Sequence, residues 1–345
     1  MQRRGNRSGR ISRRALVSAA MGLGVTGLAA CSRNPAPPVE TARVRLRVAL
    51  DARPSALHGG LFQAMADGLY ARRNLTVEPI SGEVQPGAAQ RLAAGTAELA
   101  LGFDSQALLN LRAGGAPVRA VAAFFQKDPR ALAVRGETPL TDLAALAPRP
   151  FAFEESDLAA FWPLIQARYG IAADRLLSGD SALELFQATP DAVLAVDIGP
   201  ELEAAAHAAA QPLQWRLPAE EGFAGYGALV IAPDGFARDN ARALSAFIVA
   251  TAEGWRDYLA RDPAPAHGLI SRAAPGVTAE SLMAQRQRII DAGLVLGGDA
   301  PVYGIGSMTL ERWRDYVEAA AAVGAVATET DPADVFTVDF LPGRG

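Results

Sequence analysis

From residue 44 onward the chain alternates short runs of β-forming residues with longer stretches whose apolar positions recur at helical spacing. Residues 45–51 read as a strand, 60–73 as a helix, 75–80 as a second strand and 85–94 as a second helix. A third strand at 98–102 leads into a helix at 104–113 with a carboxylate at its N-cap, and 118–125 is a buried strand. After a crossing strand at 131–134 the rhythm restarts with 141–146, a strand at 151–153, a helix at 156–169, a strand at 175–177, a helix at 182–188 and a strand at 192–196. Residues 229–232 fit a return crossing, and helices follow at 238–261, 278–292 and 309–323. Alternation of this kind predicts the α/β class with parallel sheets. The economical arrangement is two α/β lobes joined by two crossing strands, with lobe I at 44–130 plus 228–345 and lobe II at 131–227. Open α/β sheets bind ligands beyond the carboxyl ends of their strands, so the cleft between the lobes is where function is expected.

Composition sharpens this picture at the N-terminus. Half of the 345 residues are apolar and a fifth are charged, enough to bury a large core in about two domains. The formal charge of −4 hides six arginines and no acid in residues 1–30, so the rest of the chain is ten charges negative. A nucleic-acid partner is excluded on that sign. The basic start followed by an apolar stretch at 15–30 reads as an export leader over 1–31. Leu28-Ala29-Ala30-Cys31 resembles the lipobox of bacterial lipoproteins, which accounts for the only cysteine as a lipid-attachment site. Arg13-Arg14 also resembles a twin-arginine export signal. The Pro-punctuated residues 32–43 then read as a flexible tether, and the body is expected outside the cytoplasm, held to the membrane by lipid.

The residues that follow each strand are the candidates for binding. They are Asp51 with His58, Phe103-Asp104, Phe124, Glu154-Glu155, Asp197 and, before the return crossing, Tyr226. Carboxylates outnumber cations at this inferred cleft, with Arg53 the one cation counted there. Such a rim suits a ligand that donates hydrogen bonds, an amine or amidine, and the aromatic residues would stack on a flat ring. Plainer roles compete: Asp104 and Ser156 also suit helix N-caps, alternation puts only one of Phe124 and Phe125 toward a ligand, and only one of Glu154 and Glu155 faces inward. His207 and His267 are assigned no role. No His-Glu-x-x-His, Cys-x-x-Cys, nucleophile-elbow or P-loop pattern is present, so no metal or other cofactor is expected.

The segment Leu50-Asp51-Ala52-Arg53-Pro54-Ser55-Ala56-Leu57-His58-Gly59-Gly60-Leu61-Phe62, with Gly68-Leu69-Tyr70 after it, resembles the opening of the NMT1/THI5-like family. Further pieces of the resemblance are 92–102, 114–118, 226–231, Glu311-Arg312-Trp313 and 331–337. It implies a type II periplasmic-binding-protein fold and, for a lipoprotein, a monomeric receptor that passes a small solute to the permease and ATPase subunits of an ABC importer. The thiamine-pyrimidine-precursor branch is the most similar, which implies binding positions at Asp51 and His58 and, at Asp197, a carboxylate for an exocyclic amine. Relatives commonly carry Trp where Ala52 stands, so the stacking wall is either lost or supplied from elsewhere, by Phe103 or Trp162. Other branches imply a sulfonate, taurine or nitrate as the solute. Eukaryotic enzymes of the family build the pyrimidine at an iron site in a cysteine-rich segment; the matching stretch at 221–226 has no thiol, so no enzyme activity is expected.

Overall fold

The computed structural model describes residues 43–342 apart from 84 and 160, so the expected leader, Cys31 and all but the last residue of the tether lie outside the described residues. Among the described residues nine strands build two sheets. They are β1 (Val44–Leu50), β2 (Leu75–Ile80), β3 (Leu99–Phe103), β4 (Val118–Phe125), β5 (Arg130–Arg135), β6 (Phe151–Ala152), β7 (Val193–Asp197), β8 (Leu213–Arg216) and β9 (Gly227–Pro233). The first sheet runs β2-β1-β3-β9-β4 and the second β6-β7-β5-β8. β1 pairs parallel with β2 and β3, whereas β9 lies antiparallel between β3 and β4. The expected parallel pairing holds for β1 with β2 and β3 and for β6 with β7, and is corrected at β9 and β5, which run antiparallel to their neighbours. A chain that leaves one sheet at β4 and returns from the other enters at the opposite end of the strand, and β9 must run backwards. Its apolar run is buried on both faces, as a central strand requires.

The chain passes between the sheets through 126–129 and through 217–226. Phe125 pairs with Gly227, and Arg130 with Asp197, so both passages leave and enter at the edges where β1, β3, β4 and β7 end. Arg312, on the helix Leu310–Ala322, secures the two passages together. Its guanidinium donates to the main-chain carbonyls of Gln126, Ala224 (2.7 Å) and Gly225 (3.1 Å) and lies 4.0 Å from the ring of Tyr226.

Most expected helices are present, some of them divided, and the helices Pro200–Ala208 and Ala264–Ala273 form where none was expected. The expected helix 60–73 is divided into Gly59–Ala66 and Leu69–Arg72 by Gly68 at φ 67°. The expected helix 156–169 is divided into Glu155–Leu158 and Trp162–Tyr169, because Pro163 fits only the first turn of the second piece. The expected strand 175–177 is a single bridge from Leu176 to Phe151 beside a 3-10 turn. The helix Ala241–Ala260 packs on Gly59–Ala66 with Gly254 against Gly60, where a Cβ on Gly254 would stand 2.1 Å from the Gly60 carbonyl oxygen. Trp255 and Tyr258 close over Gly60 and Gly59 in the same contact. Among the described residues no helix is long and apolar enough to cross a membrane.

Candidate functional site

The strand ends converge on one acidic cleft. β1 delivers Asp51, β3 delivers Phe103 and Asp104, the first passage delivers Asp128, β5 begins at Arg130, and β7 ends at Asp197. Two adjoining cavities of about 410 and 230 Å³ share Arg130, Ser156, Asp157 and Asp197 on their walls. Seven carboxylates line the pair: Asp51, Asp104, Asp128, Glu154, Asp157, Asp197 and Glu201. Against them Arg130 is the one cation on those walls.

Asp51 is held from behind. A Cβ on Gly102 would stand 2.0 Å from Asp51 Oδ1, and Gly102 sits at φ 121°, so only glycine leaves that carboxylate room. His58 is buried, its Nε2 3.0 Å from Asp51 Oδ1, while its Nδ1 accepts the Ser55 N–H at 3.3 Å. The acceptor role at Nδ1 assigns the proton of the neutral ring to Nε2, which donates to Asp51. His58 therefore orients a cleft carboxylate and lies off the cavity walls, in place of the binding position the resemblance implied.

Asp104 takes the N-cap role and lines the smaller cavity. One oxygen accepts the Ala107 N–H at 2.7 Å and caps the helix Ser105–Ala113, and the other takes an N–H of Arg130. Arg130 also reaches Asp157 at 3.2 Å, Asp197 at 3.8 Å and Asp128 at 4.0 Å, with its guanidinium 4.6 Å from the ring of Phe161. Burial disfavours the guanidinium's charge, but the surrounding carboxylates outweigh it and hold Arg130 above its ordinary value. Burial pushes Asp128 up to about 6 despite Arg130, with Asp104 and Asp157 adding to the rise. Asp157 is raised chiefly by burial. Asp197, although its side chain is 38 % exposed, sits deep enough in the cleft that burial raises it well above the usual carboxylate range, against Arg130 and with help from Asp128 and Glu201.

Of the other expected residues, Glu154 lines the larger cavity and its Oε1 accepts the Ala182 N–H at 3.0 Å, while Glu155 is exposed and off both walls. The expected aromatic wall is mostly absent. Phe124 is fully buried, because both faces of β4 are covered and alternation leaves neither Phe124 nor Phe125 on the cleft. Trp162 packs on Phe151 and Phe153 in the core around the second sheet. Tyr226 is buried, its O–H donating to Asp299 at 2.6 Å and accepting the Thr309 N–H at 3.0 Å. Phe103 alone puts a ring on the walls of the two cavities. Arg53, counted as the cleft's cation, turns away to the Pro275 carbonyl and stands 3.9 Å from Glu83. Arg130, Asp128 and Asp157 carried no sequence expectation. Their signal was a charged Asp-Pro-Arg connector entering an apolar crossing strand, and an acid one turn into a helix after a strand end.

The family described as NMT1/THI5 like matches residues 55–266. No curated protein matches the chain. Among solved structures, the periplasmic aliphatic sulphonate binding protein SsuA from Escherichia coli aligns at 14 % identity over 85 % of this chain and 92 % of its own, with a TM-score of 0.61. The alkanesulfonate-binding protein SsuA from Xanthomonas axonopodis pv. citri, bound to MOPS, aligns at 14 % identity over 85 % and 98 %, with a TM-score of 0.60. The desulfurization enzyme DSZB aligns at 16 % identity over 86 % and 97 %, with a TM-score of 0.54. At these identities the likeness establishes the fold, which is the two-lobed, twice-crossed fold of periplasmic binding proteins.

Proposed function

The chain belongs to the NMT1/THI5-like family, and from that membership we propose that it is the extracytoplasmic solute-binding component of an ABC importer, taking a small planar solute rich in N–H donors, of the aminopyrimidine kind. The observation that carries the solute class is the charge of the cleft: seven carboxylates and one guanidinium on the walls. Carboxylates only accept hydrogen bonds when ionised, so the complement is a donor. The lobes, with lobe I at 44–130 plus 228–345 and lobe II at 131–227, close over the solute, and affinity reflects the preference for the closed state when occupied. Cys31 carries the lipid anchor, and the permease and ATPase subunits are the partners. No bond chemistry is performed; the stretch 221–226 lacks the thiols an iron site of the enzymatic relatives would need.

A sulfonate receptor suits the names of the structural relatives equally well. The cleft argues against it here, because an oxyanion would have to displace carboxylates from Arg130. Calorimetry against aminopyrimidines, sulfonates, taurine and nitrate separates the two, with micromolar aminopyrimidine binding expected. A response confined to the anions refutes the proposal. Asp197→Ala should weaken aminopyrimidine binding by about 1–3 kcal/mol; unchanged affinity in that variant removes Asp197 from the site.

A further inference from the structure

Arg130 stands between the two cavities and reaches both ways from the point where the chain first enters the second sheet. On one side it bonds Asp104, the N-cap of a helix beside the first sheet. On the other it meets Asp157 at 3.2 Å, on the short helix Glu155–Leu158 beside the second. Its contacts to Asp197 and Asp128, at 3.8 and 4.0 Å, are longer than hydrogen bonds. One guanidinium set among four carboxylates leaves a formal excess of three negative charges. Asp197 is the most exposed of the four at 38 %, against 16–19 % for the others, and it opens onto both cavities.

We propose that Arg130 sets the charge the cleft accepts: it commits Asp104 and Asp157 to a bridge between the two sides and leaves Asp197 to receive a single positive group of the solute. This rests on the receptor reading above and adds to it the solute's charge and the residue that meters it. A neutral isostere gains only hydrogen bonds from Asp197, whereas a cation also relieves the excess charge, which is felt strongly at the reduced dielectric of a narrow cleft. Burial is the main cause that raises the carboxyls of Asp128, Asp157 and Asp197, and neighbouring acids add to each rise.

The test is calorimetry near pH 8 with three flat probes of one size: benzamidine as cation, benzamide as neutral isostere and benzenesulfonate as anion. In the native protein benzamidine should bind at least tenfold tighter than benzamide, the scale of one well-placed charge, with benzenesulfonate weakest. Arg130→Gln frees two carboxylates and should widen the benzamidine preference about tenfold further, while Arg130→Lys, which keeps the charge, should leave it near the native ratio. Asp157→Asn releases Arg130 toward Asp197 and should shrink the preference, which supplies the opposite sign should Arg130→Gln fail to fold by circular dichroism. An Arg130→Gln ratio equal to or below the native one in folded protein overturns the proposal and leaves Arg130 a strut. Aminopyrimidine binding without preference for benzamidine over benzamide overturns it while the receptor reading survives. Benzenesulfonate binding best, or no probe binding, overturns it as well, and the solute panel above then decides the receptor reading separately.

Discussion

Asp128→Asn removes one of the four carboxylates around Arg130 while keeping the side chain's size and an oxygen able to accept the main-chain N–H of Arg130, which Asp128 takes at 2.9 Å. In the native protein burial raises the Asp128 carboxyl from 3.8 to about 6. Between those values the folded chain binds a proton there that the unfolded chain has lost, so stability is greatest below the lower value and falls as pH rises through the higher one. Two pH units correspond to about 3 kcal/mol, and the charge of Asp128 also helps raise Asp197, so the variant relieves both groups. Because the effect is shared among coupled acids, Asp128→Asn is expected to exceed the native protein by about 1–3 kcal/mol near pH 8, the gain vanishing toward pH 4. Urea unfolding followed by circular dichroism at pH steps across that range measures the difference by linear extrapolation. A gain independent of pH, or one that grows on acidification, would refute the reasoning, since neither can come from a carboxyl whose folded value lies above its unfolded one.

Gly102→Ala should cost about 1–3 kcal/mol of stability, from strain at positive φ and the contact with Asp51, and should weaken solute binding by displacing that carboxylate; parallel urea unfolding and calorimetry check both. Gly254→Ala should cost about 1–3 kcal/mol by forcing two packed helices apart, measured as a lowered urea midpoint at unchanged slope. Tyr226→Phe should lose about 1–2 kcal/mol because Asp299 and the Thr309 N–H lose a partner, with solute affinity unchanged; a binding defect without a stability loss would return Tyr226 to the cleft.

The alternation of apolar and polar positions was sufficient to read the strands of the first sheet, since β1, β3 and β4 each bury a strongly apolar sequence. It was insufficient for β8, Leu213–Arg216, whose four residues are all half-buried and half of them polar. Four of the seven acids on the cavity walls, Asp51, Asp104, Glu154 and Asp197, were legible because strand ends are where α/β sheets present side chains. Arg130 was not, because its closest acid, Asp104, lies 26 residues away and nothing local marks the pairing. The aromatic residues misled for a different reason. An aromatic ring at a strand end fits the core as well as a cleft, and only the second covering layer, invisible in one strand's pattern, decides between them.

Arg312 carries a mechanical consequence. The two connectors are some ninety residues apart along the chain, yet one guanidinium grips carbonyls on each, so lengthening any of those contacts loads the rest. The helix Leu310–Ala322 that supplies the grip is therefore a structural part of both connectors, however remote it stands from them in the sequence.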